Sequence, residues 1–157
     1  METSAPKPVR SSQTRLSDLM QPNDANVQGS VFGGVILAMV DKAAAVCAMR
    51  HSGKPCVTVA MERVEFLVPI RIGDYVIAEA QLQFTGHTSL EIGVEVYAED
   101  LRTGERRHAN SCLVTMVAVD AQGRPTAVPP LLTETPDEKK RFEEARLRLQ
   151  RRPRSAR

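Results

Sequence analysis

The sequence contains few aromatic residues and few cysteines. Phe and Tyr together make up 4% of the 157 residues, and tryptophan is absent. Proteins that stack nucleic-acid bases on aromatic side chains usually carry more. The three cysteines (Cys47, Cys56 and Cys112) are odd in number, widely spaced and outside any CxxC pattern, which argues against a disulfide framework or a zinc site. We therefore expect buried, reduced thiols, no metal ion and a cytoplasmic protein.

The chain also lacks a long uninterrupted apolar run. Its longest apolar stretch, residues 31–49, is interrupted by Asp41 and Lys42, so it is predicted as a buried helix rather than a membrane span. The N-terminal residues have no apolar core of the kind found in a signal peptide. P-loop, GxGxxG and Ser/His/Asp patterns are absent too. We expect neither membrane association nor nucleotide-cofactor chemistry.

The length fits one domain with short tails. The net charge of +2 is unevenly distributed, because residues 139–157 hold nine Lys and Arg against two Glu. That segment carries about +7 and the remainder about −5. Such a basic segment serves either as a solvated tail or as a contact for nucleic acid or another acidic partner. We expect the solvated tail and no nucleic-acid partner.

The order of predicted elements indicates an α+β fold. Residues 1–12 are rich in Ser, Pro and charge, and are predicted to be disordered. A helix that is apolar on all sides is predicted over residues 33–50, and a mostly solvated helix over 136–150. Alternating patterns predict one strand before the long helix and four after it: 14–20, 57–68, 75–85, 88–99 and 107–119. An antiparallel sheet around one central helix follows, and a second copy of the chain would supply the remaining cover.

Asp41 is unusual because it lies in the middle of an otherwise aliphatic helix. A buried carboxylate is costly unless it is paired or hydrogen-bonded. Two interpretations stay open. Either Asp41 and Lys42 form a narrow solvent-facing stripe, or Asp41 is a functional carboxylate.

The loop before this helix contains Asn26 and leads into Gly33 and Gly34. Each of these residues alone is explained by a turn or by close packing. Together they predict free backbone N–H groups and a side-chain amide at a helix N-terminus, which suit a polarised carbonyl oxygen. Asp41 lies about 10–12 Å farther along the helix, too far to share one small group with that N-terminus. A partner subunit could close the gap. The histidines give no such pattern, and His51 is expected to cap the helix end or to be solvated.

The motif Pro22-x-Asp24-x-Asn26-x-x-Gly29-x-x-Phe32-Gly33-Gly34, followed by Leu37 and Asp41, resembles the signature of hotdog-fold acyl-CoA hydrolases of the YciA and brain acyl-CoA hydrolase type. Three downstream segments also match this family, at residues 57–74, 85–89 and 118–125. The resemblance covers about residues 14–130. It implies a hotdog acyl-CoA hydrolase domain with a curved antiparallel sheet wrapped around the helix (13–130). Outside it, composition predicts a disordered tail (1–12) and a basic, partly helical tail (131–157).

The resemblance also implies an activity and an assembly. The activity is hydrolysis of acyl-CoA to free acid and CoA, without a metal or a cofactor other than the CoA of the substrate. The assembly is a homodimer that often builds a hexamer, with Asn26 of one subunit facing Asp41 of the other. Asp41 would be a general base for water or alternatively a nucleophile, and Asn26, Gly33 and Gly34 would polarise the carbonyl. The expected CoA contacts are Arg63, Gly86, His87, Thr88 and Ser89. The alternative is a non-catalytic acyl-CoA-binding module.

Overall fold

The computed structural model describes residues 4–151. Its helices are α1 (Gly33–Ser52) and α2 (Pro136–Arg151). Its strands are β1 (Lys7–Pro8), β2 (Thr14–Leu19), β3 (Cys56–Phe66), β4 (Tyr75–Thr85), β5 (Ser89–Glu99), β6 (Arg106–Ala118) and β7 (Leu131–Leu132). Five strands form one antiparallel sheet in the order β2-β4-β5-β6-β3, with α1 packed against it. The α+β fold with one long helix is thus confirmed.

The core lies between α1 and the inner face of the sheet. Alternate β5 residues from Leu90 to Val96 are fully buried, and so are their inner-face partners on β6. The side of α1 that meets them carries Ile36, Val40, Ala43, Ala44, Cys47 and Ala48, each at most 2% exposed. The two-residue period of the strands thus meets a helix stripe of small and branched residues.

Helix α1 begins and ends where the glycines predict. It starts at Gly33 after Phe32 and stops at Gly53, whose φ of +67° gives the left-handed C-cap that glycine adopts without strain. Helix α1 is apolar on all sides, but the sheet covers only one of them. Phe32, directly before the helix, is also left 57% exposed.

Strand β3 is an edge strand, paired only with β6 in the described sheet. Several of its apolar residues are exposed, including Val57, Val59 and Phe66, and Leu67 follows directly. An open edge with apolar side chains is a template for another strand.

The N-terminal segment differs from the predicted disorder of residues 1–12. Residues 1–3 lie outside the described part of the chain, but β1 pairs in parallel with β7, and the 3₁₀ turn Val9–Ser11 buries Val9 completely. His51 differs as well, since it is fully buried with Nε2 2.8 Å from the Pro129 carbonyl oxygen. The Lys7 ammonium also donates to the His51 carbonyl. The segments around Lys7 and Pro129 therefore pack on the end of α1.

Helix α2 is mostly exposed, as predicted, and it docks on the sheet along one face. Phe142 packs on Phe84 of β4 with ring centroids 4.9 Å apart, and Ala145 is fully buried. Arg148 reaches the buried carboxylate of Glu91 at 2.5 Å. The basic segment up to Arg151 is thus docked on the sheet, and residues 152–157 lie outside the described part. No helix within residues 4–151 is long and apolar enough to cross a membrane.

Candidate active site

The N-terminus of α1 is a slot between two phenyl rings. A Cβ on Gly33 would lie 3.3 Å from Cζ of Phe66, and a Cβ on Gly34 would collide with the ring of Phe32. No side chain caps this helix end, and Val35 N–H bonds back to the Phe32 carbonyl. Glycine at both positions therefore lets the rings approach the backbone, where the N–H groups of the first helical residues have no partner within the helix. The positive end of the helix dipole adds to their potential for an oxygen ligand.

Asn26 is oriented by its own loop. Its Oδ1 accepts hydrogen bonds from Gln28 N–H (2.9 Å) and Ser30 N–H (3.2 Å). Its Nδ2 donates to Ser30 Oγ at 3.0 Å. An amide nitrogen carries two hydrogens, so one remains for another acceptor. The turn function expected for Asn26 and the free N–H needed for a carbonyl ligand are therefore both present.

Asp41 is half-buried and hydrogen-bonded, which combines the two interpretations left open by the sequence. The Thr58 hydroxyl of β3 donates to Asp41 Oδ1 at 2.6 Å. This hydrogen bond fixes one carboxylate oxygen and leaves Oδ2 for another donor. The sequence analysis assigned no function to Thr58. Nothing in the sequence distinguishes Thr58 from other β-branched strand residues, because its contact with Asp41 depends on how α1 crosses β3.

The sheet register separates these groups within one chain. Phe66 pairs with Asn110 across β3 and β6, whereas Thr58 pairs with Met116. Six residues along β6 correspond to about 20 Å. The slot at Gly33 and Gly34 thus belongs to one end of the sheet and the Asp41–Thr58 pair to the other. One chain does not bring Asn26 and Asp41 together.

The hairpin between β4 and β5 lies at the Asp41 end. Leu90 pairs with Met116, which pairs with Thr58, so the hairpin is about two strand spacings, or about 10 Å, from Thr58. The hairpin backbone also has a structural role, because the carbonyl oxygens of His87 and Thr88 accept hydrogen bonds from the N–H groups of Val128 and Ala118, respectively. A Cβ on Gly86 would lie 2.6 Å from Ser89 Oγ, so a larger residue at this position of the turn would displace the Ser89 side chain. His87 is the exposed side chain at its tip.

Arg63 lies at a bulge in β3, between the two ends of the sheet. It adopts φ +51°, in the left-handed region that disfavours L side chains. Its side chain is exposed. The bulge directs this guanidinium away from the regular ladder.

An apolar groove of about 270 Å³ opens beside the slot. It runs between the start of α1 and residues 66–70, and its walls include Val31, Ile36, Phe66 and Pro69. A larger cavity of about 450 Å³ lies on the outer face of the sheet, between Arg15, Glu79 and Arg141. Gly33 of the slot lines the smaller groove and not this cavity, so the smaller groove is the relevant one for chemistry at the slot.

The cysteines have no catalytic environment. Burial raises the pKa of the Cys47 and Cys112 thiols to about 11, and it also raises the pKa of Cys56. A thiol with such a pKa is protonated at neutral pH and is a poor nucleophile. All three cysteines are free.

Comparison with known proteins places this site in a family. Residues 28–105 match the thioesterase superfamily. An uncharacterized acyl-CoA thioester hydrolase of Bacillus subtilis, YkhA, is 36% identical over 138 residues, which cover 88% of this chain and 80% of that protein. A hexameric acyl-CoA thioesterase has a similar structure, with a TM-score of 0.90, 37% identity and 94% of each chain covered.

A third similar protein is an acyl-CoA hydrolase of Staphylococcus aureus, solved with butyryl-CoA, CoA and CoA disulfide. Its TM-score is 0.85 at 32% identity, covering 92% of this chain and 88% of that chain. Alanine variants of that enzyme have been solved at an asparagine, an aspartate 15 residues later and a threonine 17 residues after the aspartate. Asn26, Asp41 and Thr58 are the same residue types at the same separations. The chain belongs to the thioesterase superfamily, among its hotdog-fold acyl-CoA thioesterases.

Proposed function

We propose that this chain hydrolyses acyl-CoA to free acid and CoA at a site shared by two copies. The observation that carries the proposal is the division of the site. A carbonyl-binding slot lies at one end of the open edge strand β3, and the Asp41–Thr58 pair lies at the other.

Antiparallel pairing of two β3 strands would join these halves. Thr58 and Phe66 lie four residues on either side of Glu62, so a twofold axis near Glu62 places Thr58 of one copy opposite Phe66 of the other. The exposed apolar residues Val57, Val59 and Phe66 would then be covered. Two equivalent sites result, each with Asn26 from one copy and Asp41 from its partner.

The chemistry requires one base and one group that stabilises negative charge. Asp41 takes a proton from a water molecule, and the water oxygen forms a bond to the thioester carbon. The negative charge that develops on the carbonyl oxygen is stabilised by the free Asn26 N–H and by the N–H groups of Gly33 and Gly34. The C–S bond then breaks, CoA leaves as a thiolate that takes back the proton held by Asp41, and the acid is released. Thr58 positions the Asp41 carboxylate so that Oδ2 faces the water.

Arg63 and the hairpin Gly86–Ser89 are proposed to hold the CoA moiety. The exposed guanidinium of Arg63 suits a phosphate, and the hairpin lies on the Asp41 side of the sheet. The reaction needs no cofactor beyond the CoA of the substrate. We also propose a hexamer of three dimers, by analogy with the hexameric relative, and a cytoplasmic location, in keeping with the free cysteines.

The first test measures thiol release from acyl-CoAs of graded chain length. Asp41→Ala and Asn26→Ala are expected to lower kcat by orders of magnitude while thermal unfolding stays near that of the wild type. Asp18→Ala, at an exposed aspartate of β2, is the matched control and should retain full activity. Wild-type turnover by Asp41→Ala would exclude the proposed base.

The second test mixes the two inactive variants. Each Asn26→Ala/Asp41→Ala mixed dimer has one site with both residues intact, so random pairing of equal amounts should recover about a quarter of the wild-type rate. Two different affinity tags allow the mixed dimers to be isolated. Inactive mixed dimers would contradict the shared site, even if thioester hydrolysis by the wild type stands.

A further inference from the structure

Asn110 is a fully buried amide without a hydrogen-bond partner. Its side chain is 0% exposed, and neither Oδ1 nor Nδ2 has a partner among the described residues. Buried side-chain amides are nearly always hydrogen-bonded, because burial removes the water they would otherwise bind. An unpaired pair of donor and acceptor atoms inside the core takes its hydrogen bonds from a buried water or from a ligand.

The register shows that Asn110 faces the inner side of the sheet. Its β5 partner is Val96, which is buried in the core, and it precedes Cys112 and Val114 in the same inward-facing row of β6. A bulge at Ala109 ends the regular pairing next to it. The inward-facing side chains of β6 are thus apolar up to this position, where an amide takes their place.

This position is beside the apolar groove of the active site. Phe66, which pairs with Asn110 across β3 and β6, is part of the groove wall and packs on Gly33. The groove-lining segment 66–70 crosses the end of β6, since Leu67 N–H donates to the Ala109 carbonyl and Arg107 donates to the Pro69 carbonyl. Asn110 therefore lies directly behind Phe66, next to the groove but not in its wall, so a ligand in the groove reaches the amide past the Phe66 ring.

The surroundings favour a neutral oxygen as the ligand. The next inward-facing polar group of β6 is Arg107, and its guanidinium is already paired with Asp74 at 2.5 Å. No unpaired cation is thus available, among the described residues of this row, to balance a carboxylate beside Asn110. An amide donates to and accepts from a hydroxyl equally well, and it can also donate to a ketone.

We propose that the preferred acyl groups of this chain carry a hydroxyl or keto oxygen that hydrogen-bonds to Asn110. This inference rests on the proposed thioesterase function and on the groove as the acyl site. In the single chain the groove of about 270 Å³ has room for about nine water-sized groups at about 30 Å³ each, which is enough for a short or medium acyl group. A plain acyl chain of equal length leaves the Asn110 amide unpaired and is therefore the poorer substrate.

The test compares matched substrates in wild type and in Asn110→Leu, a substitution of similar size without polar atoms. The pairs are 3-hydroxybutyryl-CoA with butyryl-CoA, acetoacetyl-CoA with butyryl-CoA, and 3-hydroxyhexanoyl-CoA with hexanoyl-CoA. In wild type, kcat/KM is expected to favour the oxygenated member of at least one pair about tenfold or more. In Asn110→Leu that ratio should fall to about one or below, with the rate on plain acyl-CoA retained or increased. Cys112→Ala, in the same inner row, should keep the wild-type ratio.

The outcomes separate this inference from the proposed function. Equal kcat/KM within every pair in wild type would overturn the inference while hydrolysis itself stands, and it needs no variant. The same ratio in wild type and Asn110→Leu would overturn it as well. If wild type hydrolyses no acyl-CoA of any length, the thioesterase function fails and the inference fails with it.

Discussion

Thr58→Val removes a single interaction from the proposed base and leaves the shape of the side chain nearly unchanged. The lost hydrogen bond joins a neutral hydroxyl to a carboxylate oxygen at 2.6 Å. Hydrogen bonds to charged groups contribute about 1.5–3 kcal/mol. If that energy is used to hold Asp41 toward water, kcat should fall by about 10- to 100-fold. KM should change little, because Asp41 acts on water rather than on the bound CoA.

The assay is thiol release under steady-state conditions, with thermal unfolding followed in parallel. Thr58→Ser keeps the hydroxyl and is expected to retain kcat within about threefold of the wild type. Thr58 is an exposed residue in the single chain, so both variants should fold. A wild-type kcat in Thr58→Val would show that Asp41 is oriented without Thr58. An equal loss in the Ser and Val variants would point to β3 packing and not to the hydrogen bond.

Three further results are expected. Arg63→Gly and Arg63→Ala should weaken CoA binding equally in calorimetry. The free energy of unfolding should be about 1 kcal/mol higher for the Gly variant than for the Ala variant, because glycine adopts a φ of +51° without strain. Wild-type affinity in either variant would exclude Arg63 from the CoA site. Burial lowers the pKa of His51. The contribution of the neutral His51 to folding stability is therefore present above about pH 6.5 and is lost as the pH falls through the lowered pKa, by at most about 1.4 kcal/mol per pH unit. His51→Gln should flatten the fall in unfolding free energy between pH 7.5 and 5.5, and the same pH dependence in wild type and variant would refute this role of His51. Arg148→Met should destabilise the chain by about 3 kcal/mol in chemical denaturation, because Glu91 is left buried and unpaired. Adding Glu91→Leu should recover most of that loss. No recovery would mean that α2 is held by its apolar contacts and not by the ion pair.

The parts of the fold that depend on local pattern were predictable from the sequence. The apolar density and bounding glycines predict α1, and the strict alternation around Leu90 predicts β5. The loop motif places Asn26 before Gly33 and Gly34, and the helical rise alone shows that Asp41 is too distant to join them. The position of β3 beyond β6 was not predictable in this way, because strand order depends on non-local pairing.

The termini show how composition can mislead. The segment around Val9 is polar and proline-rich, yet it is ordered because β7, more than 120 residues away, supplies a pairing partner. In α2, the residues that contact the body are Phe142, Ala145 and Arg148, spaced three apart on one helical face. That narrow stripe was present in the sequence, but it is hidden by the charged residues around it.

The separation of the two half-sites makes assembly a requirement of the proposed chemistry. Within one chain, Asp41 lies more than two turns along α1 from Gly33, and Thr58 and Phe66 lie toward opposite ends of β3, so one chain holds the slot and the Asp41–Thr58 pair apart. The edge strand that connects them also exposes apolar residues such as Val59, which is 60% exposed. The same surface that would be a liability in a monomer therefore becomes the element that completes the site in a dimer. Stability of the pair and catalysis are then linked, because a copy without its partner has a base without a carbonyl slot and a slot without a base.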